Sequence, residues 1–346
     1  MWSSEILLPL DQALRTVVTL GKQAAVSEAL SIGVNYGQIA NNLPSPSRVS
    51  WLLRSLRISK VKLYDADPNV LRAFLGTGVE FVVAIGNENV QAMVNPAAAQ
   101  AWLSQHVVPY LRAGARITCV TVGNEVFKGN DTALQAAVLP AMQSVHRALG
   151  ELGLQGRVNV TTAHSLDIMA VSFPPSAGAF HPAAMPHLRP FVAFLSATRS
   201  PAAGVVDANT RLRYDNMLYA QVDAVYAAIQ ALGHTDVEVK VSETGWPSRG
   251  DPDEPGATPE NAGTYIRNLL QRIEMKQGTP LRPATPVDVY VFALFNENLK
   301  PGPASERNYG LFYPDGTPVY NVGLNSYLPS MMFSRGARQV LLYCFS

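Results

Sequence analysis

The chain has 346 residues, 47% hydrophobic and 15% charged, with 27 Lys+Arg against 26 Asp+Glu. A net charge of +1 offers no strong field for nucleic acid or an anionic membrane and suits a neutral substrate. The apolar content excludes a disordered chain, and two cysteines, Cys119 and Cys344, exclude a disulfide framework or a Cys-rich zinc site.

From the N-terminus, the run Ile6–Leu10 is short, contains Pro9 and lies between Glu5 and Asp11, so residues 1–30 carry no clear secretory signal. They read as a weakly amphipathic helical extension appended to a domain spanning residues 31–323. Residues 324–346 read as a tail, whose apolar part Val340–Cys344 is too short for a lipid anchor. No apolar run approaches the roughly 20 residues of a membrane span. Asn130-Asp131-Thr132 and Asn159-Val160-Thr161 fit the N-glycosylation pattern.

From residue 31, strand-like runs alternate with helix-like stretches. The strands are Ser31–Tyr36, Lys60–Tyr64, Glu80–Ile85, Ile117–Val122, Arg157–Ala163, Glu238–Ser242 and Asp288–Phe292. The helices include Ser47–Leu56, Pro96–Arg112, Leu134–Leu152, Leu218–Leu232 and Pro259–Glu274. Strands apolar along their whole length are covered on both faces, and repeated strand–helix units favour a parallel α/β barrel. A (β/α)₈ barrel needs eight strands and this pattern supplies seven. Between Ala163 and Glu238 lie the helix-like Phe191–Leu195 and the loop-like Ser200–Gly204, and only Val205-Val206 resembles a strand.

In such barrels the chemistry sits where strands end. Gly123-Asn124-Glu125 follows the fourth strand, Glu243-Thr244-Gly245-Trp246 closes the sixth, and Phe295-Asn296-Glu297, Lys300 and Glu306 follow the last. Carboxylates at the ends of two strands, with aromatics beside them, suit glycoside hydrolysis, one attacking or stabilising the anomeric carbon and the other protonating the leaving oxygen. A single strand-end glutamate is an ordinary loop charge, whereas several in this pattern are less easily accidental. Gly86-Asn87-Glu88 follows the third strand in the same way, so spacing does not choose between Glu88 and Glu125. No dinucleotide or phosphate-binding glycine pattern and no Gly-x-Ser-x-Gly elbow is present, and His181 and His187, in a Pro-rich loop, lack zinc-ligand spacing. Cys119 reads as a core residue.

Four segments carry a family resemblance: Ile32–Gly37, Val122–Val126, Val241–Ser248 and Phe295–Asn298, joined by Ser172–Ser176 and Glu306–Phe312. Over about residues 31–323 the chain resembles the plant glucan endo-1,3-β-glucosidases of glycoside hydrolase family 17. The resemblance implies a (β/α)₈ barrel that cleaves internal 1,3-β-glucosidic bonds with retention, without cofactor or metal. It also implies a monomer outside the cell or in the vacuole, acting on β-glucan and touching neither nucleic acid nor the membrane interior. It assigns Glu125 as proton donor and Glu243 as nucleophile, with Asn124 near the 2-hydroxyl. Tyr36, Tyr64 and Trp246 become candidate ring contacts, Phe295 a further substrate-binding residue, and Glu297, Lys300 and Glu306 a charged cluster beside the nucleophile that either contacts substrate or forms a structural ion-pair network. The family's sixth-strand segment is missing between Pro201 and Ala202, which predicts unpaired edges on its two neighbours. That deletion raises the alternative of a non-catalytic glucan binder or a defective variant.

Overall fold

In a computed structural model, the described residues are 15–21, 32–197, 212 and 214–321. The run Ile6–Leu10, the segment Ser200–Val206, the tail 324–346 and Cys344 lie outside them. The strands are β1 (Arg15–Gly21), β2 (Gly33–Asn35), β3 (Lys60–Lys62), β4 (Glu80–Ile85), β5 (Arg116–Asn124), β6 (Asn159–Ser165), β7 (Met169–Val171), β8 (Ala179–Phe180), β9 (Glu238–Gly245) and β10 (Val289–Val291). Eight of them close a barrel in the order β1-β6-β5-β4-β3-β2-β10-β9, while β7 and β8 form a separate antiparallel pair.

All seven expected strands are present, and they run parallel to one another. In chain order no barrel strand lies between β6 and β9 among the described residues, and the expected deletion at Pro201-Ala202 falls outside them. The predicted open edges are nevertheless paired. Arg15–Gly21, expected as part of an appended helical extension, is instead an antiparallel strand joining β6 to β9. Its β-branched run Thr16-Val17-Val18-Thr19 suits a strand better than a helix.

The helices follow from caps and periodicity. Pro259–Glu274 buries Ala262, Ile266, Leu269 and Leu270 along one face, and Thr258 caps it by accepting from the Asn261 N–H at 3.2 Å. Thr132–Glu151 starts where the Asp131 carboxylate accepts from Leu134 N at 2.9 Å. The expected helix over 96–112 is two, Pro96–His106 and Val108–Arg112, because Pro109 cannot donate to a continuous helix. His187, expected in a loop, lies in the helix Met185–Ala197. Cys119 sits in β5, where burial pushes its thiol up to about 12.

The floor of the barrel is charged. Asp288 accepts from Lys60 Nζ at 2.8 Å and from Lys240 Nζ at 3.0 Å. Burial alone would raise the Asp288 carboxyl, but the two ammonium groups outweigh it and hold it at about 2.

Candidate active site

The opposite end of the barrel, where the parallel strands finish, carries the glutamates. Glu243, on β9, is fully buried. A carboxylate there demands an opposite charge, and Lys62 Nζ on β3 supplies it at 2.8 Å from Oε1. The same ammonium donates to Asn124 Oδ1 at 3.2 Å and lies 4.9 Å from the centre of the Tyr64 ring. One cation therefore draws together the ends of β3, β5 and β9.

Both strands leading to the glutamates contain an extra residue. Against β6, β5 advances from Thr121 to Asn124 while its partner advances only from Thr161 to Ala163. Against β10, β9 advances from Val241 to Thr244 while its partner moves from Val289 to Val291. Such bulges bend a strand and re-aim its side chains. On β9 the extra residue is Ser242, whose carbonyl accepts from Asn35 Nδ2 at 3.1 Å, tying in the end of β2.

After Asn124 the backbone turns sharply. Gly123 has φ +72°, and a Cβ there would crowd Val126 and the Asn87 carboxamide. Glu125 is half-buried and left-handed, at φ 52°, a conformation that costs a non-glycine residue about 1–2 kcal/mol. Its N–H donates to the Ala163 carbonyl at 2.8 Å and its carbonyl accepts from Lys128 N at 3.0 Å. Asn87 clamps the neighbouring peptide groups, its Nδ2 donating to the Asn124 carbonyl at 3.0 Å and its Oδ1 accepting from Asn124 N at 2.8 Å. Glu88 is exposed and accepts from Asn89 Nδ2 at 3.0 Å. The Gly-Asn-Glu look-alike thus contributes its asparagine to the site.

Glu297, Lys300 and Glu306 come together after β10. Glu297 is buried, with Oε1 accepting from Ile39 N at 2.8 Å and Oε2 lying 3.6 Å from Lys300 Nζ. Lys300 Nζ is also 3.9 Å from Glu306 Oε2 and 4.0 Å from the Phe292 ring centre. Phe292 N donates to the Thr244 carbonyl at 2.8 Å, which links the cluster to the residue after Glu243.

The aromatic residues divide. Tyr64 is half-buried beside Lys62, and Trp246 is half-buried with its indole N–H donating to the Gly256 carbonyl at 2.8 Å. Tyr36 is buried edge-on against Phe295, with ring centres 6.2 Å apart. Burial first, then the charges of Asp67 and Asp65, raise its phenol well above the usual range, so it stays a neutral hydroxyl. Phe295 is 3% exposed and borders a pocket with Trp51 and Leu52 of the helix Pro46–Ser55, which places its ring against the helical layer.

Lys62, Asn87 and Asn35 escaped the sequence reading. A lysine inside the apolar run Val61-Lys62-Leu63 was the available signal, because a charge on a strand buried from both sides requires a partner. Asn87 and Asn35 act through backbone groups that no motif displays.

Residues 32–324 match Glycosyl hydrolases family 17. Glucan endo-1,3-β-glucosidase 14 of Arabidopsis thaliana is 53% identical over 337 residues, covering 89% of this chain and 86% of that protein. Glucan endo-1,3-β-glucosidase 11 of the same plant is 50% identical over 322 residues, covering 85% and 75%. Among solved structures, a β-1,3-glucanase and pollen allergen of Cryptomeria japonica superposes with a TM-score of 0.79 at 34% identity, covering 85% of this chain and 99% of that one. With the match spanning most of the chain, and with a barrel that resembles a solved glucanase, this chain belongs to glycoside hydrolase family 17.

Proposed function

We propose that this chain hydrolyses internal 1,3-β-glucosidic bonds of a β-glucan with retention, Glu243 acting as nucleophile and Glu125 as acid and then base. The observation that carries the reading is the single Lys62 ammonium shared by Glu243 and by Asn124, the residue before Glu125. It ties the two glutamate-bearing strand ends to one point at the barrel mouth. A retaining pair needs carboxyl groups roughly 5–5.5 Å apart.

In the first step the Glu243 carboxylate attacks the anomeric carbon as the glycosidic C–O bond breaks, and the Glu125 carboxyl gives its proton to the departing oxygen. In the second, Glu125, now a carboxylate, takes a proton from water, whose oxygen displaces Glu243 and returns it as a carboxylate. Lys62 stabilises the anionic nucleophile in a place where water cannot. Because Asn124 Oδ1 accepts from Lys62, its Nδ2 is left to donate to the 2-hydroxyl of the cleaved ring. The Lys300 cluster, joined through Phe292 to Thr244, holds the end of β9. Tyr64 and Trp246 offer ring faces to the sugar chain.

The reading takes the enzyme to be a monomer outside the cell or in the vacuole, where wall glucans and defence against fungal glucan supply substrates. Exposed Asn130, in its sequon just before the cap of Thr132–Glu151, is compatible with a secretory route. The test is reducing-sugar release from a linear 1,3-β-glucan by the full chain, Glu125→Gln and Glu243→Ala, with the product anomer followed by NMR. Release of the β-anomer by the parent, lost in both variants, is expected. A parent that melts cooperatively and releases nothing overturns the reading.

A further inference from the structure

Arg15–Gly21 has no counterpart in the strand–helix repeat that builds the rest of the barrel, yet it lies between the two halves of the proposed catalytic pair. From β9, which carries Glu243, to β5, which ends beside Glu125, the barrel passes only through β1 and β6. The pairing is extensive. On the β9 side it runs from Arg15↔Gly245 to Gly21↔Glu238, and on the β6 side it joins Val17↔Ser165, Val18↔His164 and Thr19↔Ala163. Val17 stands opposite Glu243 on one side and Ser165 on the other.

Without β1, β6 and β9 would face each other across two strand spacings, about 10 Å, with unpaired edges. Among the described residues, β1 is the strand that joins β6 to β9 and so closes this side of the barrel. The antiparallel direction follows from connectivity. Gly21 pairs with Glu238 at the start of β9, the barrel floor, and β2 starts from the same floor at Gly33. An antiparallel strand thus ends at the floor, where β2 begins. A parallel strand would finish at the mouth and need a crossover to return.

We propose that Arg15–Gly21 is a positioning strand for the reaction, a segment from outside the family match that replaces the missing sixth strand and sets the spacing of Glu125 and Glu243. This rests on the roles proposed for those two glutamates. The strand touches no substrate in this proposal and acts through the strands on either side of it. Its loss therefore affects the alignment of the carboxylates more than the sugar contacts after β3 and β9.

Two measurements on the full chain, with Cys344→Ser to remove a competing thiol, test it. The first places Val17→Cys and Ser165→Cys at register partners and oxidises the folded protein mildly. A cross-linked monomer that keeps glucanase activity and melts at a higher temperature is expected. An active enzyme in which these cysteines stay reduced, or cross-link only between two chains, overturns the proposal. The second is Val18→Pro, which removes a ladder donor from the centre of the strand. Misplacement of about 1 Å can cost roughly a hundredfold in rate. A fall in kcat of that order is expected, with KM changing far less and kcat recovering when the 17–165 cross-link is added. A proline variant with the parent's kcat overturns the proposal. If the proline variant fails to fold, the cross-link still decides. A cross-linked monomer with no glucanase activity, made from an active parent, overturns the positioning role, whereas a parent that melts cooperatively and is itself inactive overturns the glycosidase reading on which that role rests.

Discussion

Lys62 and Glu243 stand 181 residues apart in sequence and 2.8 Å apart in the barrel, buried together at the mouth. Removing one member of such a pair leaves a buried charge without that partner, at a cost of about 3–5 kcal/mol. Lys62→Met is expected to lower the melting temperature by that equivalent and to reduce kcat at least as severely as it reduces stability. Replacing both, as Lys62→Met with Glu243→Leu, should restore much of the stability and none of the activity. Equal melting temperatures for the parent and Lys62→Met would remove the ion pair from the account of the site.

Asn87 holds both backbone groups of Asn124, whereas Glu88 beside it is solvent-exposed. Asn87→Ala loses two hydrogen bonds, each worth about 0.5–1.5 kcal/mol net, next to a turn already strained at Glu125. A tenfold or larger fall in kcat, roughly the equivalent of 1.4 kcal/mol, is expected with the fold retained. Glu88→Gln is expected to leave turnover unchanged. Steady-state kinetics on a soluble 1,3-β-glucan reads both, and a loss on Glu88→Gln would reopen the choice between Glu88 and Glu125.

His164 is completely buried on β6 between Phe127 and Phe191, and neither ring nitrogen has a hydrogen-bond partner among the described residues. Burial lowers its pKa to about 4, against about 6.5 in an unfolded chain. The unfolded state then binds the extra proton between these values, so stability falls as pH drops from 6.5 towards 4, by up to about 3 kcal/mol. His164→Leu should flatten the melting temperature over that window relative to the parent. The comparison isolates this residue, because raised carboxyls such as Asp223 titrate in both proteins and act in the opposite direction. Parallel pH curves for the two proteins would sink the assignment.

Asp288, with Lys60 and Lys240, stabilises the other end of the barrel. With its carboxyl held at about 2, its contribution is present above the unfolded value near 3.9 and is lost only as pH falls towards 2. Asp288→Asn is therefore expected to destabilise by a few kcal/mol, roughly the cost of breaking a buried pair, evenly from pH 5 to 8. Its kcat at 25 °C should stay close to the parent's. A selective loss of kcat without loss of stability would show that the floor communicates with the mouth.

Seven strands were legible because each is a local apolar run, and helices such as Pro259–Glu274 because each repeats with a period near 3.6. Glu125 and Glu243 were legible because the strand-end motifs that carry them are contiguous in the chain. The resemblance, not the spacing, chose Glu125 over Glu88. In the structure Glu125 lies on a left-handed turn and Glu88 at an exposed helical position.

The sequence by itself determined the alternation of elements and the identity of the candidate carboxylates, since both are properties of neighbouring residues. Only the tertiary structure decided that Lys62 meets Glu243, that extra residues at the ends of β5 and β9 set the approach to both glutamates, and that Arg15–Gly21 completes the barrel. Those outcomes depend on which distant edge or charge lacks a partner once the chain has closed. Local periodicity does not encode such a vacancy, and a short run such as Thr16–Leu20 takes its conformation from the two open strands that receive it.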